Sequence, residues 1–296
     1  MRIVVTGREG QVVRALMERG AAAGHHIVAV GRPALDLAGS ADAIGKALAD
    51  ARPDAIVSAA AYTMVDKAES ERDLAFAINA SGAGAVAQAA RALGVPVVHL
   101  STDYVFDGTK PAPYAESDAT GPVGVYGASK LAGEHAVLAA QPDAAVLRTA
   151  WVYSPFGANF AKTMLRLAAT RDELGVVGDQ LGNPTSALDI ADGVIAVAAN
   201  LLANRDPALR GVFHMTSAGE ASWAEFASAI LAESVRLGGP TAGVRAITTA
   251  EYPTPAPRPA NSRLDCRLIE TAHGVRLPAW HSSVGPIVAR LTATSS

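Results

Sequence analysis

Short, fully apolar runs recur along the chain at intervals that leave room for one helix between each pair. They are rich in β-branched residues and show no polar face, a pattern typical of parallel strands buried on both faces. We predict strands at five of these runs: 2–6, 26–30, 54–58, 95–100 and 144–149.

Longer segments with a helical period lie between these strands. They are rich in alanine and leucine, and we predict helices over 11–23, 40–51, 72–93 and 127–140. Strand and helix alternating at this spacing indicate right-handed crossovers. The sequence therefore predicts an α/β fold with a doubly wound, Rossmann-type parallel sheet.

The last third of the chain is less regular and predicts a smaller C-terminal lobe built from discontinuous segments. Ser222 and Glu225 have the spacing of a capping box at the start of a helix. The proline-rich stretch 252–259 resists both helix and sheet, which favours a linker or surface loop. The elements predicted here are helices at 157–170, 187–203 and 223–236 and a strand at 211–215.

Composition narrows the class of protein. The chain has 296 residues, half of them apolar, so a large core is available. A net charge of −3 gives no basic excess for nucleic acid, and the single cysteine, Cys266, cannot form an internal disulfide. No run is long enough for a membrane helix, and the first apolar run is too short for a signal peptide. We expect a cytoplasmic protein that acts on a small solute, with no membrane or nucleic-acid partner.

Gly7 and Gly10 lie where the first strand passes into the first helix. In that context glycines let the backbone approach a pyrophosphate, whose charge is met by the helix N-terminus. We expect the pyrophosphate at the amides of Gly10, Gln11 and Val12; a tight turn without a ligand is the alternative. Val13 occupies the third glycine position, which usually serves helix packing.

The end of the second strand bears on the choice between NAD and NADP. Arg32 follows that strand, and no acidic residue occurs until Asp36. An arginine there accepts the 2′-phosphate of NADP, so NADPH is favoured. The alternatives are that Arg32 is a solvated surface charge and that Asp36 reaches the adenosine, and NADH is the second hydride donor to test.

Tyr126 and Lys130 are four residues apart on a predicted helix and so share one face. A nearby ammonium favours the phenolate, so we expect Lys130 to lower the pKa of Tyr126 toward neutrality. Thr102, at the carboxyl end of the fourth strand, can bond the same substrate oxygen. A Tyr/Lys pair is often only an exposed amphipathic pair, but its order after the glycine loop and Thr102 favours catalysis.

With these motifs the chain resembles the extended short-chain dehydrogenase/reductases. The glycine loop and the VYGASKLAGE stretch (125–134) are shared by the whole superfamily. Four others resemble those of a branch that reduces nucleotide-linked keto sugars: STDYVFDG (101–108), AWVY (150–153), DQLGNPT (179–185) and PRPANSRL (257–264).

The resemblance implies roles for individual residues. Tyr126 would be the proton donor to the C4 keto oxygen, and Lys130 would hold the nicotinamide ribose. Thr102 and Asp103 would contact the sugar, with Trp151 packed on it. Other residues implied in binding are Asp36, Leu37, Ala61, Tyr62 and Thr63 for the cofactor, and Arg258 and Asn261 for the nucleotide end of the substrate.

The implied reaction is NADPH-dependent reduction of the C4 keto group of dTDP-4-dehydro-L-rhamnose, for nucleotide-sugar precursors of polysaccharides. Two alternatives stay open: a reductase of another dTDP-4-keto-6-deoxysugar, and a non-catalytic regulatory relative that binds NADP(H). Some relatives form dimers through a magnesium ion bound partly by the first helix, where this chain has Ala15. We therefore predict no metal and leave the mode of a homodimer open.

The same resemblance suggests how the chain is divided. We expect 1–153, with 187–215 returning to it, to form the NADP(H)-binding domain. Residues 154–186 and 216–296 would form the substrate lobe, which then includes the proline-rich stretch.

Overall fold

The computed structural model describes residues 1–293. Its centre is a six-stranded, all-parallel sheet with the strand order β10-β5-β4-β3-β1-β2, so the predicted doubly wound fold is confirmed. The strands are β1 (Arg2–Thr6), β2 (His26–Val30), β3 (Ala55–Ser58), β4 (Val97–Thr102), β5 (Ala144–Thr149), β6 (Val152–Tyr153), β7 (Glu173–Val177), β8 (Leu181–Gly182), β9 (Thr185–Ser186), β10 (Gly211–His214), β11 (Ser217–Ala218), β12 (Ala221–Ser222), β13 (Gly243–Ile247) and β14 (Leu277–Ala279).

Helices cover both faces of this sheet and form much of the C-terminal part. No helix within residues 1–293 has both the length and the apolar character needed to cross a membrane. The helices are α1 (Gln11–Ala22), α2 (Ala41–Asp50), α3 (Val65–Ala68), α4 (Arg72–Phe76), α5 (Ala83–Leu93), α6 (Val125–Ala140), α7 (Phe160–Ala168), α8 (Ala187–Ala203), α9 (Trp223–Arg236), α10 (Arg267–His273) and α11 (Trp280–Ala293).

The first five predicted strands all form, but β2 is not buried on both faces. It is the edge strand, and its residues are half-buried or exposed, whereas β3, β4 and β5 are buried throughout. The prediction of two-sided burial is therefore wrong for β2. An apolar composition does not reveal which strand lies at the edge of the sheet.

The order in which strands are added reverses between β1 and β3, and parallel α/β sheets open a crevice for ligands at such a point. The Thr6 hydroxyl at the end of β1 accepts hydrogen bonds from the amides of Ala59 and Ala60, both at 3.0 Å. These two bonds fix the loop after β3 beside the glycine loop.

The single helix predicted over 72–93 is interrupted. A π-helical turn (Ala77–Gly82) separates α4 from α5. Gly82 passes so close to the loop after β2 that a Cβ there would lie 2.4 Å from the carbonyl oxygen of Leu37. π turns often occur at functional sites, and this one lies against α6.

The C-terminal part has its own apolar core. This core contains Tyr153, Phe226 and Trp280, among other side chains from α7, α9 and α11. The short strands of this part of the chain form four two-stranded sheets: β6 with β9, β7 with β13, β8 with β12, and β11 with β14. The predicted capping box is confirmed, since Ser222 and Glu225 bond reciprocally at the start of α9.

Some later segments join the main sheet instead. β10 pairs with β5, and α8 packs against α1. Ile269, Val275 and Leu277 also belong to the apolar cluster of the main sheet, although they lie in the range predicted for the lobe. The proline-rich stretch 252–259 has no helix or strand, as predicted.

Candidate active site

The glycine loop is shaped by Gly7. Its φ of +99° is a conformation that other residues rarely adopt, and its amide donates to the Val30 carbonyl at 2.7 Å. Gly31 packs against it so tightly that a Cβ there would lie 3.1 Å from the Gly7 carbonyl carbon. The loop is thereby held at the end of β1 and β2.

Gly10 is the N-cap of α1, and no side chain caps this helix. The first amides of the helix, including those of Gln11 and Val12, therefore lack an intrahelical acceptor. Gly10 is exposed, so an anion can approach. This arrangement fits the pyrophosphate of a dinucleotide.

Val13 fills space that a third glycine would leave open. It is 2% exposed and belongs to the core cluster of the main sheet, and a Cβ at Gly7 would lie 3.4 Å from its Cγ2. It is therefore part of the packing of α1 against the sheet.

The side chain of Gln11 joins the glycine loop to the segment after β6. Its Oε1 accepts from the Ser154 hydroxyl at 2.7 Å and from the Asn159 amide at 3.1 Å. Its Nε2 donates to the Val152 carbonyl at 3.3 Å. Asn159 also caps α7, which explains why that helix begins at Phe160 and not at 157.

The residues after β2 separate into exposed and buried positions. Arg32 and Asp36 are exposed, and no hydrogen bond or ion pair links the Arg32 side chain to another residue within 1–293. Asp36 accepts a local bond from the Ala38 amide at 3.0 Å. Leu37 is 6% exposed and packs into the core, so only its backbone is placed to approach a cofactor.

The segment Ala61–Thr63 is held by Asn79, which sits in the π-helical turn. The Asn79 side chain accepts from the Tyr62 amide at 2.7 Å and donates to the Tyr62 carbonyl at 3.0 Å. It also donates to the Ser129 hydroxyl at 2.9 Å. The Tyr62 phenol donates to Glu71 at 2.6 Å, and this bond raises the pKa of Tyr62 to about 12. The Tyr62 side chain is therefore structural.

Thr102 lies at the carboxyl end of β4, as predicted. Its hydroxyl donates to Asp103 Oδ1 at 2.9 Å, and both residues are buried. Burial raises the pKa of Asp103 to about 6. Oδ2 of the same carboxyl group makes no hydrogen bond of good geometry among the residues described, although the nearby Ser262 hydroxyl opposes the rise in the pKa of this group. An oxygen in this state can bond to a ligand.

Tyr126 stands next to Thr102 and its ring meets that of Tyr104 edge-on at 5.6 Å. Burial raises the pKa of Tyr126 to about 12, against a smaller opposing effect of the nearby Thr102 hydroxyl. The expectation that Lys130 lowers this pKa is therefore wrong for the protein by itself. Burial outweighs every other influence, and the Lys130 ammonium donates elsewhere.

Lys130 is 3% exposed and reaches β4. Its ammonium donates to the Leu100 carbonyl at 2.7 Å and lies 3.4 Å from His99 Nε2. Burial lowers the pKa of Lys130 to about 8, opposed by the negative charge of Glu134. His99 is buried with Nδ1 3.1 Å from the Ser58 hydroxyl, and burial holds its pKa well below the usual value.

Trp151 has a φ of +47° and lies under a second indole. Trp223 stacks on it with a centroid distance of 3.5 Å and an interplanar angle of 6°. A side chain at Gly182 would collide with the Trp151 ring. One face of the predicted sugar platform is therefore already covered.

The two residues predicted for the nucleotide end differ. Arg258 pairs with Asp66 at 2.9 Å and lies over the Tyr104 ring at 6.0 Å, and that ring in turn contacts Tyr126. Asn261 is 5% exposed, and its amide donates to the Lys110 and Ala112 carbonyls while its oxygen accepts twice from Arg263. All the bonding capacity of this side chain is used within the chain, and the substrate contact of Asn261 stays a prediction.

Several residues of the site had no clear signal in the sequence. Asn79, His99 and Trp223 bear on the predicted site residues through contacts between distant parts of the chain. Asn79 is the first residue of the stretch NASGAG (79–84), but nothing in that stretch indicates its contact with Tyr62.

The position considered for a magnesium ligand is apolar. Ala15 is fully buried in α1. Within residues 1–293 no three His, Cys, Asp or Glu side chains come together as a possible metal site.

Comparison with known sequences agrees with the motifs. The sequence model of the family described as RmlD substrate binding domain matches residues 1–293. A protein of Sinorhizobium fredii named dTDP-4-dehydrorhamnose reductase is 54% identical over 288 residues, which are 97% of each sequence.

Solved structures give the same result. The dTDP-4-dehydrorhamnose reductase of Clostridium acetobutylicum is 38% identical with a TM-score of 0.89, and the match covers 97% of this chain and 98% of that one. The enzyme of the same name from Bacillus anthracis, solved in complex with NADP, is 34% identical with a TM-score of 0.89 over the same shares.

Proposed function

The chain belongs to the RmlD substrate binding domain family, and from that premise we propose that it reduces the C4 keto group of dTDP-4-dehydro-L-rhamnose with NADPH, giving dTDP-L-rhamnose. The resemblance to extended short-chain dehydrogenase/reductases is confirmed by the same matches. The chain is thus an oxidoreductase of dTDP-rhamnose synthesis.

NADPH, when bound, supplies the hydride for this reduction. The residues fit this cofactor, because no side chain caps the N-terminus of α1 and Gly10 at that end is exposed. Gly7, Gly10, Gln11 and Val12 would hold the pyrophosphate. Arg32 would meet the 2′-phosphate, while Asp36, the backbone of Leu37 and the segment 61–63 would line the adenosine side.

Tyr126 would protonate the C4 oxygen of the sugar. A pKa of about 12 keeps the phenol protonated at neutral pH, which is the state that a proton donor needs. Thr102 would orient the phenol and bond the same oxygen. Lys130 would hold the ribose through the ammonium protons that Leu100 does not use.

The sugar would lie between Asp103 and the stacked indoles. The free oxygen of Asp103 can accept from a sugar hydroxyl. The exposed part of Trp151 offers an apolar surface beside it. Arg258, beside Tyr104, is the candidate for the diphosphate because its planar fork binds two oxygens.

The observation that carries this proposal is the position of Thr102, Tyr126 and Lys130. The end of β4 and one face of α6 supply a hydroxyl, a protonated phenol and a buried ammonium. Binding of a cofactor alone does not require a proton donor beside a second hydroxyl, so the combination favours a catalytic protein.

The test is a turnover assay. The purified protein is supplied with dTDP-4-dehydro-L-rhamnose, and NADPH or NADH oxidation is followed by absorbance. Tyr126→Phe should bind NADPH as the wild type does and lower kcat by roughly 10²–10⁴-fold, because the general acid is lost. A variant with the wild-type kcat would contradict the role of Tyr126.

The same assay separates the alternatives. A panel of other dTDP-4-keto-6-deoxysugars identifies a different substrate by its larger kcat/KM. Tight NADPH binding with no oxidation on any sugar would point to the regulatory relative.

A cytoplasmic location, a homodimer and the division into a cofactor domain and a substrate lobe stay predictions. Support for the division comes from the separate apolar core of α7, α9 and α11. Light scattering of the purified protein would decide the oligomeric state.

A further inference from the structure

The catalytic residues are carried by two elements whose relative position must be fixed. Thr102 ends β4, while Tyr126 and Lys130 lie on α6. Tyr126, Lys130 and Glu134 follow one another at intervals of four residues, so they form one stripe on the helix. Glu134 is the member of this stripe that the proposed reaction does not use.

Glu134 connects three elements. Its Oε1 accepts from the Ser101 hydroxyl on β4 at 2.5 Å and from Arg148 Nε on β5 at 2.9 Å. Its Oε2 accepts from Arg148 Nη2 at 2.7 Å. Ser101 directly precedes Thr102, so this bond ties the catalytic strand to the catalytic helix.

The charges of this pair are almost fully removed from water. The side chains of Arg148 and Glu134 are 5% and 1% exposed. Burying an ion pair costs desolvation that apolar side chains would avoid, so such a pair is weak evidence of added stability. The pair instead specifies one arrangement of the elements that it joins, because any other arrangement would leave a buried charge unpaired.

We propose that Glu134 is a positioning residue, which aligns Thr102 with Tyr126 and Lys130 by tying Ser101 and Arg148 to α6. It touches neither sugar nor cofactor. The kinetic test of this inference rests on the proposed function. A second test, the titration of Lys130, needs no substrate.

The charge of Glu134 adds a second, measurable effect. It supports the ammonium form of Lys130. The other groups that face Lys130 are His99 from β4, which burial keeps neutral, and Tyr126 on the same helix, which stays protonated at neutral pH. Arg148 on β5 is engaged by Glu134. Removing the charge of Glu134 should therefore lower the pKa of Lys130.

The first experiment removes one bond and leaves the ion pair. Ser101→Ala should lower kcat about tenfold, since small misplacements of catalytic groups cost up to ~10²-fold, while both KM values stay within about twofold. Ser101→Thr keeps a hydroxyl and should restore kcat. Ser217→Ala is the matched control, because Ser217 is equally buried, lies outside the site and has a hydroxyl with no hydrogen-bond partner within residues 1–293.

The second experiment follows Lys130 itself. In protein with ¹³C-labelled lysine, the Lys130 side chain is titrated by NMR in the wild type, Ser101→Ala and Glu134→Gln. Glu134→Gln should titrate at lower pH than the wild type, and Ser101→Ala should not. Because no substrate is present, this result stands even if the wild type fails to reduce the sugar.

The outcomes separate the two proposals. Wild-type turnover with Ser101→Ala as active as Ser217→Ala would overturn the positioning role. So would an unchanged Lys130 titration in Glu134→Gln. If Glu134→Gln does not fold, the kcat of Ser101→Ala relative to Ser217→Ala decides the positioning role. No turnover by the wild type on any sugar would refute the proposed function, and the titration then decides the role of Glu134.

Discussion

Tyr126 and Lys130 respond to burial in opposite directions, because their uncharged forms differ by a proton. Burial raises the pKa of Tyr126 to about 12 and lowers that of Lys130 to about 8. Each shift favours the neutral side chain. The phenol therefore stays ready to donate over the whole ordinary pH range, while the ammonium is the first of the two to lose its proton.

This difference predicts the pH dependence. As pH rises through about 8, Lys130 loses the charge that would hold the ribose, while Tyr126 is still protonated. We expect kcat/KM to fall on the alkaline side with an apparent pKa near 8, measured at pH values where the protein stays folded. A rate that is constant to pH 10 would contradict the assignment to Lys130.

Arg32 should set the preference for NADPH. Its side chain is exposed and has no ion-pair partner within residues 1–293, so it can meet a phosphate without breaking a contact. Arg32→Ala should raise KM for NADPH by about 10–100-fold, as expected for loss of a hydrogen bond to a charged group, and leave KM for NADH unchanged. Arg171→Ala, an exposed arginine before β7, is the control. An equal effect on both cofactors would refute the 2′-phosphate contact.

Among the structural elements, the π-helical turn could not be predicted from the sequence. Apolar periodicity was enough to predict the strands of the sheet and the stripe that carries Tyr126 and Lys130, since both depend on local spacing. The π turn instead depends on Asn79 reaching Tyr62, and the role of Asn261 depends on carbonyls some 150 residues away. Contacts of this range leave no period in the sequence.

The turn also predicts a phenotype for Asn79. Asn79→Ala removes the partners of the buried Tyr62 amide and carbonyl, each of which costs about 1–3 kcal/mol when left unsatisfied. We expect a free energy of unfolding lower by roughly 2–6 kcal/mol for the two groups together and weaker NADPH binding, because the segment 61–63 loses its anchor. Denaturant unfolding and fluorescence titration measure the two effects.

The control is Asn204→Ala, which changes an exposed residue after α8. An Asn79 variant that unfolds like the wild type would show that the loop is held by other contacts. One that is less stable but binds NADPH normally would separate the turn from the cofactor site.

At the scale of the whole molecule, buried polar groups join segments that are far apart in the chain. His214 on β10 is fully buried, its amide donates to Glu116 at 2.8 Å, and its Nδ1 lies 3.1 Å from the Tyr114 carbonyl. Nε2 faces Arg148 at 3.4 Å, so the ring is held neutral between an acceptor and a cation. Burial lowers the pKa of His214 to about 3.

Such a histidine makes the fold sensitive to acid. Between about pH 6.5 and 3 the unfolded chain binds a proton at His214 and the folded chain does not, so stability is present above this range and is lost as pH falls through it. The slope for one such group is about 1.4 kcal/mol per pH unit. His214→Gln should reduce the pH dependence of the unfolding free energy between pH 6.5 and 4, measured with denaturant.

His26→Gln, on the exposed edge strand, is the comparison for this variant. An identical slope in His214→Gln and the wild type would mean that other groups govern acid unfolding. The buried His99 contributes in the same direction, so a residual slope is expected.

The indole stack has a spectroscopic consequence. The three tryptophans of the chain, Trp151, Trp223 and Trp280, all belong to or pack against the core formed by α7, α9 and α11. Their fluorescence emission therefore follows mainly the unfolding of that core and not that of the main sheet. Two indoles 3.5 Å apart and nearly parallel also couple electronically, so near-ultraviolet circular dichroism should carry a signal of this pair. Melting curves from emission and from far-ultraviolet ellipticity would coincide only if both regions unfold as one unit.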